Sequence, residues 1–188
     1  MLTVAVIATV LRAAWFVAET LHASRTRVAP VEDRDEASLK LLKAATLAVP
    51  VGVAVGFTDF GRVRGGAGDW LAALGLGLMV VGIGLRWAAI RTLGRFFTRA
   101  VSILEGHRIV RSGLYRHLRH PSYTGYLLGN LGLGLALANW ASTLIIFVPV
   151  AAATLYRIRV EERALLERFG DEYVAHARST KRLIPKVF

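Results

Sequence analysis

Cysteine is absent from this chain of 188 residues, which excludes disulfides, thiolate metal sites, iron–sulfur clusters and a cysteine nucleophile. Lysine is scarce, with four lysines beside 20 arginines. Acidic residues are also few, 13 in all, and the formal net charge is +11. The chain has neither a P-loop nor a GxGxxG turn after a strand, so the two common soluble nucleotide-binding motifs are missing.

Hydrophobic residues are abundant by contrast. They make up 54% of the chain, and only 20% is charged, against about a quarter in an ordinary soluble domain. Residues 121–156 contain no charged side chain and no histidine. As a helix this run is about 54 Å long, too long for one crossing of a hydrocarbon core of about 30 Å. Asn139 and Trp140 lie near its middle and are typical of a turn at the membrane surface, so we predict a helical hairpin.

We predict one all-α domain over residues 1–188, an integral membrane bundle of about five transmembrane helices. Residues 1–90 hold the first three spans, and residues 91–188 hold a long connector, the hairpin and C-terminal helices. Pro50 predicts a kink in the second span, and Gly170 predicts the end of a helix that follows the last span. The predicted spans are residues 2–21, 44–58, 70–90, 123–138 and 141–156.

The positive charge follows this topology. Basic residues concentrate in residues 25–40, 91–120 and 157–188, which lie on one side of a five-span bundle. The positive-inside rule then places the N-terminus outside and the C-terminus in the cytoplasm, and we expect a bacterial inner-membrane protein. Because the charge marks orientation, and no basic module interleaved with aromatic residues accompanies it, we do not expect nucleic-acid binding.

Two of the predicted spans contain unusual residues, charged side chains in the first span and closely spaced glycines in the fourth. Arg12 and Glu19 are seven residues apart in the first span, where charged residues are functional candidates by default. We expect them to pair with each other, and a contribution to the cavity is the alternative. Gly125 and Gly129 are four apart in the fourth span, a spacing that allows close helix approach in lipid. We also expect the glycines of this span, Gly125, Gly129, Gly132 and Gly134, to leave room for a lipid tail, which Gly129→Leu would test.

Polar residues capable of chemistry gather in two stretches, residues 106–125 and 156–173. Arg157 and Glu161 are four apart on one helix face, which also fits a pair that only stabilises the helix. The histidines of the first stretch lack the spacing of a zinc site, so we expect no metal. Tyr126 is interpreted as part of an interfacial aromatic belt.

Together the two stretches resemble the isoprenylcysteine carboxyl methyltransferase family. The first reads Gly-His-x-Ile-Val-x-Ser-Gly-x-Tyr-x-x-x-Arg-His-Pro-Ser-Tyr-x-Gly, and the second reads Glu-Glu-x-x-Leu-x-x-x-Phe-Gly-x-Glu-Tyr. Residues 93–98 also resemble the family. The likeness covers about residues 90–185.

This resemblance implies an integral-membrane methyltransferase that uses S-adenosylmethionine and has no Rossmann domain. The connector would bind the cofactor, Arg157 would hold the methyl acceptor, and Arg157 and Glu161 would be the catalytic pair. The implied cofactor-binding residues are Ser102, His107, Arg108, Ile109, Val110, Tyr115, His120, Pro121, Ser122, Tyr123 and Glu161.

The expected partners are membrane lipid and a lipophilic or lipidated acceptor, which would enter between spans four and five. The preferred acceptor group is a carboxylate such as that of a prenylcysteine, because it is ionised at neutral pH and needs no general base. A phospholipid amine or a small thiol is the alternative acceptor. An NADPH-dependent membrane reductase and a non-enzymatic membrane scaffold are the other two classes left open.

Overall fold

The computed structural model describes residues 1–25, 32–33, 36–97, 102–103, 106 and 108–184, with the side chains of residues 32, 33, 36, 102 and 103 excepted. It contains seven α-helices in that part of the chain, and one antiparallel pair of two-residue strands, Glu32–Asp33 (β1) and Ser102–Ile103 (β2). The helices are Leu2–Arg25 (α1), Glu36–Thr46 (α2), Ala48–Gly56 (α3), Gly65–Leu93 (α4), Pro121–Ala136 (α5), Trp140–Phe169 (α6) and Asp171–Ser179 (α7).

The helices confirm the predicted membrane bundle. Four described helical segments are long and apolar enough to cross a membrane: Leu2–Arg25, Ala37–Gly56, Gly65–Phe96 and Trp140–Phe169. The fifth, α5, has 16 residues and is shorter than the roughly 20 that a full crossing needs. The second span is interrupted close to the kink predicted at Pro50, because α2 ends at Thr46 and α3, which includes Pro50, begins at Ala48.

Helices α4 and α5 form the closest-packed pair, and glycine makes their approach possible. A Cβ atom built on Gly82 would lie 2.8 Å from the carbonyl oxygen of Gly125, and one on Gly132 would lie 2.6 Å from that of Gly75. Such distances leave no space for a side chain, so the two backbones touch directly. At Gly129 a Cβ would lie 2.7 Å from the Trp15 ring of α1. The expectation that Gly129 leaves room for a lipid tail is therefore wrong, since Trp15 fills that space.

The predicted hairpin turn is confirmed between α5 and α6. Ala138 adopts a positive φ of 48°, and the Asn139 side chain caps α6 by accepting a hydrogen bond of 3.0 Å from the Ser142 amide. Helix α6 then runs for 30 residues, with Pro149 inside it. The last predicted span and the helix expected after it are thus one continuous helix. It ends at Gly170, whose φ of 50° suits glycine, and α7 begins at the next residue.

The C-terminal segment after α7 returns to the start of α5. The Arg119 amide donates to the Lys181 carbonyl (2.7 Å), and the His120 amide donates to the Arg182 carbonyl (3.1 Å). The Thr124 hydroxyl donates to the Leu183 carbonyl at 2.8 Å. These bonds fix the first turn of α5 against the tail, and that turn carries the Pro-Ser-Tyr part of the motif, residues 121–123.

Candidate active site

A cavity of about 260 Å³ lies where the first turn of α5 faces α6. Helices α1 and α2 close it on the side of the bundle, and α7 closes the opposite end. The cavity brings together nine of the residues predicted from the motifs. They are Arg108, Ile109, Val110, Tyr115, His120, Ser122, Tyr123, Arg157 and Glu161.

Three predicted residues do not line the cavity. His107 lies outside the described residues, and so does the side chain of Ser102, whose backbone belongs to β2. Pro121 is fully buried at the first position of α5, where a proline lacks only an N–H that the helix would leave unpaired. It shapes the turn, and the residues on either side of it reach the cavity.

The Tyr123 hydroxyl connects the two predicted catalytic residues. It donates to Glu161 Oε2 at 2.7 Å and accepts from Arg157 Nε at 2.9 Å. Arg157 and Glu161 are one turn apart on α6 and therefore share a face. A second bond of 3.0 Å runs from Arg157 Nη1 to the Ser38 hydroxyl on α2. The Arg157 guanidinium is 3% exposed and is held from two sides, which fixes its orientation toward the cavity.

The second oxygen of Glu161 faces the cavity. The ring of His120 lies beside it, with Nδ1 at 3.8 Å from Glu161 Oε1, and no described residue donates a hydrogen bond to that oxygen. The Glu161 side chain is 31% exposed, whereas that of His120 is 2% exposed. Glu161 therefore offers an anionic acceptor to whatever fills the cavity.

Glu162 is the next residue but points to a different region. Its carboxylate accepts from Arg119 Nε at 2.9 Å and from Arg182 Nε at 2.9 Å, and its side chain is 13% exposed. His120 Nε2 lies 3.4 Å away but is buried without a hydrogen bond of good geometry to any described residue. Glu162 thus ties the C-terminal segment to the start of α5.

Phenol groups surround the cavity on its polar side. Burial, followed by the negative charge of Glu161, raises the pKa of Tyr115 well above its ordinary value. Burial, followed by the charge of Glu162, likewise raises the pKa of Tyr173. Both are neutral phenols at physiological pH, and their ring faces suit a cationic ligand.

A buried ion pair that the sequence does not predict also lines the cavity. Glu19 on α1 pairs with Arg86 on α4, with 3.0 Å between Arg86 Nη2 and Glu19 Oε2, and also accepts from Trp15 Nε1 at 2.7 Å. Arg86 Nη1 in turn donates to the Ser122 hydroxyl at 3.0 Å. The expected pairing of Glu19 with Arg12 is therefore wrong. Glu19 pairs with Arg86 instead, because α4 places Arg86 opposite Glu19. The two residues are 67 positions apart in the sequence, so local spacing does not reveal this contact.

The interpretation of Tyr126 as part of an interfacial aromatic belt is also wrong. It is 8% exposed, lines the cavity and lies under Arg86, whose Cζ is 4.9 Å from the ring centroid. Its hydroxyl is 3.2 Å from that of Thr46. Tyr126 is thus a wall of the cavity rather than part of an interfacial belt.

Comparisons with known proteins agree with the motif. The sequence model of the isoprenylcysteine carboxyl methyltransferase (ICMT) family matches residues 74–167. Protein-S-isoprenylcysteine O-methyltransferase B of Arabidopsis thaliana is 37% identical over 120 residues, which is 63% of this chain and 61% of that protein. Protein-S-isoprenylcysteine O-methyltransferase of Mus musculus is 33% identical over 118 residues, 62% of this chain and 42% of that protein.

A solved structure is similar as well. The eukaryotic intramembrane Ras methyltransferase ICMT aligns with a TM-score of 0.56 and 28% identity, covering 80% of this chain and 50% of that one. The aligned part thus spans about three fifths of the first relative and half of the solved structure. The family model covers half of this chain, including the first turn of α5 and the catalytic pair predicted on α6. This chain therefore belongs to the isoprenylcysteine carboxyl methyltransferase family.

Proposed function

We propose that this protein transfers a methyl group from S-adenosylmethionine to the carboxylate of a lipophilic acceptor at the membrane, such as a prenylcysteine-like compound. The observation that carries the proposal is that one cavity is lined both by the motif residues of α5 and α6 and by the membrane-embedded helices α1 and α2. Relatives 31–38% identical to this chain are named for O-methyl transfer to isoprenylcysteine.

The residues at the polar end of the cavity fit S-adenosylmethionine. The free oxygen of Glu161 suits an ammonium group, and the rings of Tyr115 and Tyr123 suit a sulfonium or an adenine. The backbone of Ile109 and Val110 is outside regular structure and offers N–H and C=O groups to polar edges. When bound, the cofactor supplies an activated methyl group on a positively charged sulfur.

Arg157 is proposed to orient the acceptor. A carboxylate is already ionised at neutral pH, so no proton has to be removed, and a guanidinium binds it through two parallel N–H bonds. Tyr123 and Ser38 hold this guanidinium in place before any acceptor arrives. Alignment of donor and acceptor then supplies most of the rate enhancement. Burial of Arg157 and His120 excludes water from the reacting groups.

The acceptor is proposed to approach from lipid and the cofactor from the cytoplasm. Helices α1 and α2 supply the cavity's membrane-side lining, with Phe16, Leu39 and Leu42 among its apolar residues. This favours entry beside α1 and α2 over the route between α5 and α6 expected from the sequence. The basic residues after α4 and from the second half of α6 onward support a cytoplasmic C-terminus by the positive-inside rule.

A labelled methyl group tests the acceptor class. Detergent-purified protein is incubated with S-adenosylmethionine labelled in its methyl group and with an N-acetylated prenylcysteine, its carboxamide analogue, phosphatidylethanolamine or a small thiol. We expect label only with the free carboxylate, in a product from which mild base releases methanol. Base-stable label on the amine or the thiol would replace the carboxylate proposal with the corresponding alternative.

Arg157→Lys sharpens the same test. Lysine keeps the charge but loses the bidentate fork, so we expect kcat/KM for the carboxylate acceptor to fall about 100-fold. Arg159→Lys is the matched control, because Arg159 lies two residues away on the exposed side of α6. Equal activity of the two variants would remove Arg157 from the acceptor site.

A further inference from the structure

Arg12 is a buried cation inside a membrane-spanning helix. It lies near the middle of α1, is 8% exposed and lines the membrane-embedded end of the cavity. Residues 74–167, which match the family, do not include it. A guanidinium stays charged in a protein, and a charge inside a membrane span is costly unless it has a partner or a function.

The contacts of Arg12 with the described residues leave its Nε–H group without an acceptor. Its Cζ lies 5.2 Å from the centroid of the Trp15 ring and 6.0 Å from that of Phe16, so the side chain extends along α1 toward the cavity. Nε is buried, and no described residue accepts a hydrogen bond from it. The aromatic contacts stabilise the cation but accept none of its N–H groups.

The nearby carboxylate is committed elsewhere. Both oxygens of Glu19 accept from Arg86, and one of them also accepts from Trp15. Lys43 on α2, an exposed residue, also lines the cavity. Among the described lining residues of α1 to α4, three cations therefore share one carboxylate. The cavity lining contributed by these helices therefore carries an excess of positive charge among mostly apolar residues.

We propose that Arg12 binds the anionic group, a carboxylate or a phosphate, of an amphiphile that enters the cavity from the membrane. Both groups carry several oxygens that accept N–H bonds from a guanidinium, in a planar arrangement in the carboxylate and a tetrahedral one in the phosphate. The chain of the amphiphile lies against Phe16 and Leu42, which line the cavity beside Arg12. This site is separate from Arg157 and rests on the cavity alone, so it stands or falls independently of methyl transfer.

Binding to the purified protein tests the proposal without any turnover. Calorimetric titrations in a nonionic detergent compare decanoate, decyl phosphate and uncharged decanol, each corrected for protein-free micelles. We expect at least one of the two anions to bind about tenfold more tightly than decanol. The carboxylate and phosphate arms then distinguish a fatty-acid-like ligand from a phospholipid-like one.

Two substitutions locate the preference. Arg12→Gln and Arg12→Met remove the charge, and both are expected to fold, because each replaces an unpaired buried cation with a neutral side chain. The anion preference should disappear in both variants and persist in Arg64→Gln, which removes an equal charge from a residue whose side chain is 70% exposed.

Three results would overturn the site. They are equal binding of anions and decanol by the wild type, an unchanged preference in a folded Arg12 variant, and failure of both Arg12 variants to fold, which would make the guanidinium a structural element. None of these results bears on the proposed methyl transfer, which S-adenosylmethionine binding tests in a separate measurement.

Discussion

Two adjacent glutamates on α6 face different regions of the molecule. Glu162 is 13% exposed and is saturated by Arg119 and Arg182, which join the C-terminal segment to α5. Glu161 is 31% exposed, receives one hydrogen bond from Tyr123 and keeps an oxygen open to the cavity. The residue type is the same, so the difference in role comes from the partners.

This contrast separates the scaffold of the protein from the wall of its cavity. Side chains of the scaffold have their hydrogen bonds filled by the protein, and their loss leaves a buried partner unpaired. Side chains of the wall retain capacity for a ligand. Substitutions in the scaffold should therefore lower stability, and substitutions in the wall should lower binding or turnover.

The largest expected effect on stability is that of Glu162→Gln. The change leaves Arg119, which is 12% exposed, without its carboxylate, and breaking such a pair costs about 3 kcal/mol. Thermal unfolding in detergent measures it. Glu172→Gln is the control, because Glu172 and Arg111 form an exposed pair worth less than about 1 kcal/mol. Equal losses in the two variants would place Glu162 outside the scaffold.

Gly82→Ala tests the scaffold at the contact between α4 and α5. The new methyl group would meet the backbone of Gly125 and Gly129, so we expect a loss of about 1–3 kcal/mol on unfolding. Gly84→Ala, two residues along the same helix, has no neighbouring atom within 4 Å and should change stability little. A tolerated Gly82→Ala would mean that the helices can separate at little cost.

Tyr123→Phe tests the cavity wall. The change removes the hydroxyl shared by Arg157 and Glu161. We expect the rate of methyl transfer to fall about tenfold, while the unfolding temperature stays close to that of the wild type. Tyr156→Phe is the matched control, since Tyr156 is 45% exposed. A large loss of stability without loss of turnover would assign Tyr123 to the scaffold.

The smallest effect concerns pH. Burial, followed by the charge of Arg111, lowers the pKa of His176 below its ordinary value of 6.5. The unfolded chain then binds a proton more readily than the folded one, so this contribution to stability is complete above pH 6.5 and is lost as the pH falls below it. We expect the unfolding temperature to drop between about pH 7.5 and about pH 5.5, and to drop less in His176→Gln. An identical pH slope in the variant would exclude His176 as the source.

Much of this architecture could be predicted from local sequence. The long uncharged run and the Asn139 turn located the hairpin of α5 and α6, and Gly170 located the end of α6. The motif residues of the connector and of α6 were predicted as one group, and nine of them line one cavity. Local patterns succeed here because hydropathy, caps and turn residues act over a few positions.

Contacts between distant helices could not be predicted in the same way. Glu19 forms an ion pair with Arg86 and not with Arg12, and the space beside Gly129 is filled by Trp15 and not by a lipid tail. Both outcomes depend on how α1 packs against α4 and α5, which a single sequence does not specify. The location of Tyr126 could not be predicted for the same reason, because its neighbours Thr46 and Arg86 come from other helices.

The contrast between the two glutamates is tested most directly by titrating S-adenosylmethionine into wild type, Glu161→Gln and Glu162→Gln at equal folded concentration. We expect Glu161→Gln to weaken binding about tenfold or more, while folded Glu162→Gln binds like the wild type. NADPH, titrated in parallel, should not bind. Undiminished binding by Glu161→Gln, or binding of NADPH in place of S-adenosylmethionine, would contradict this expectation.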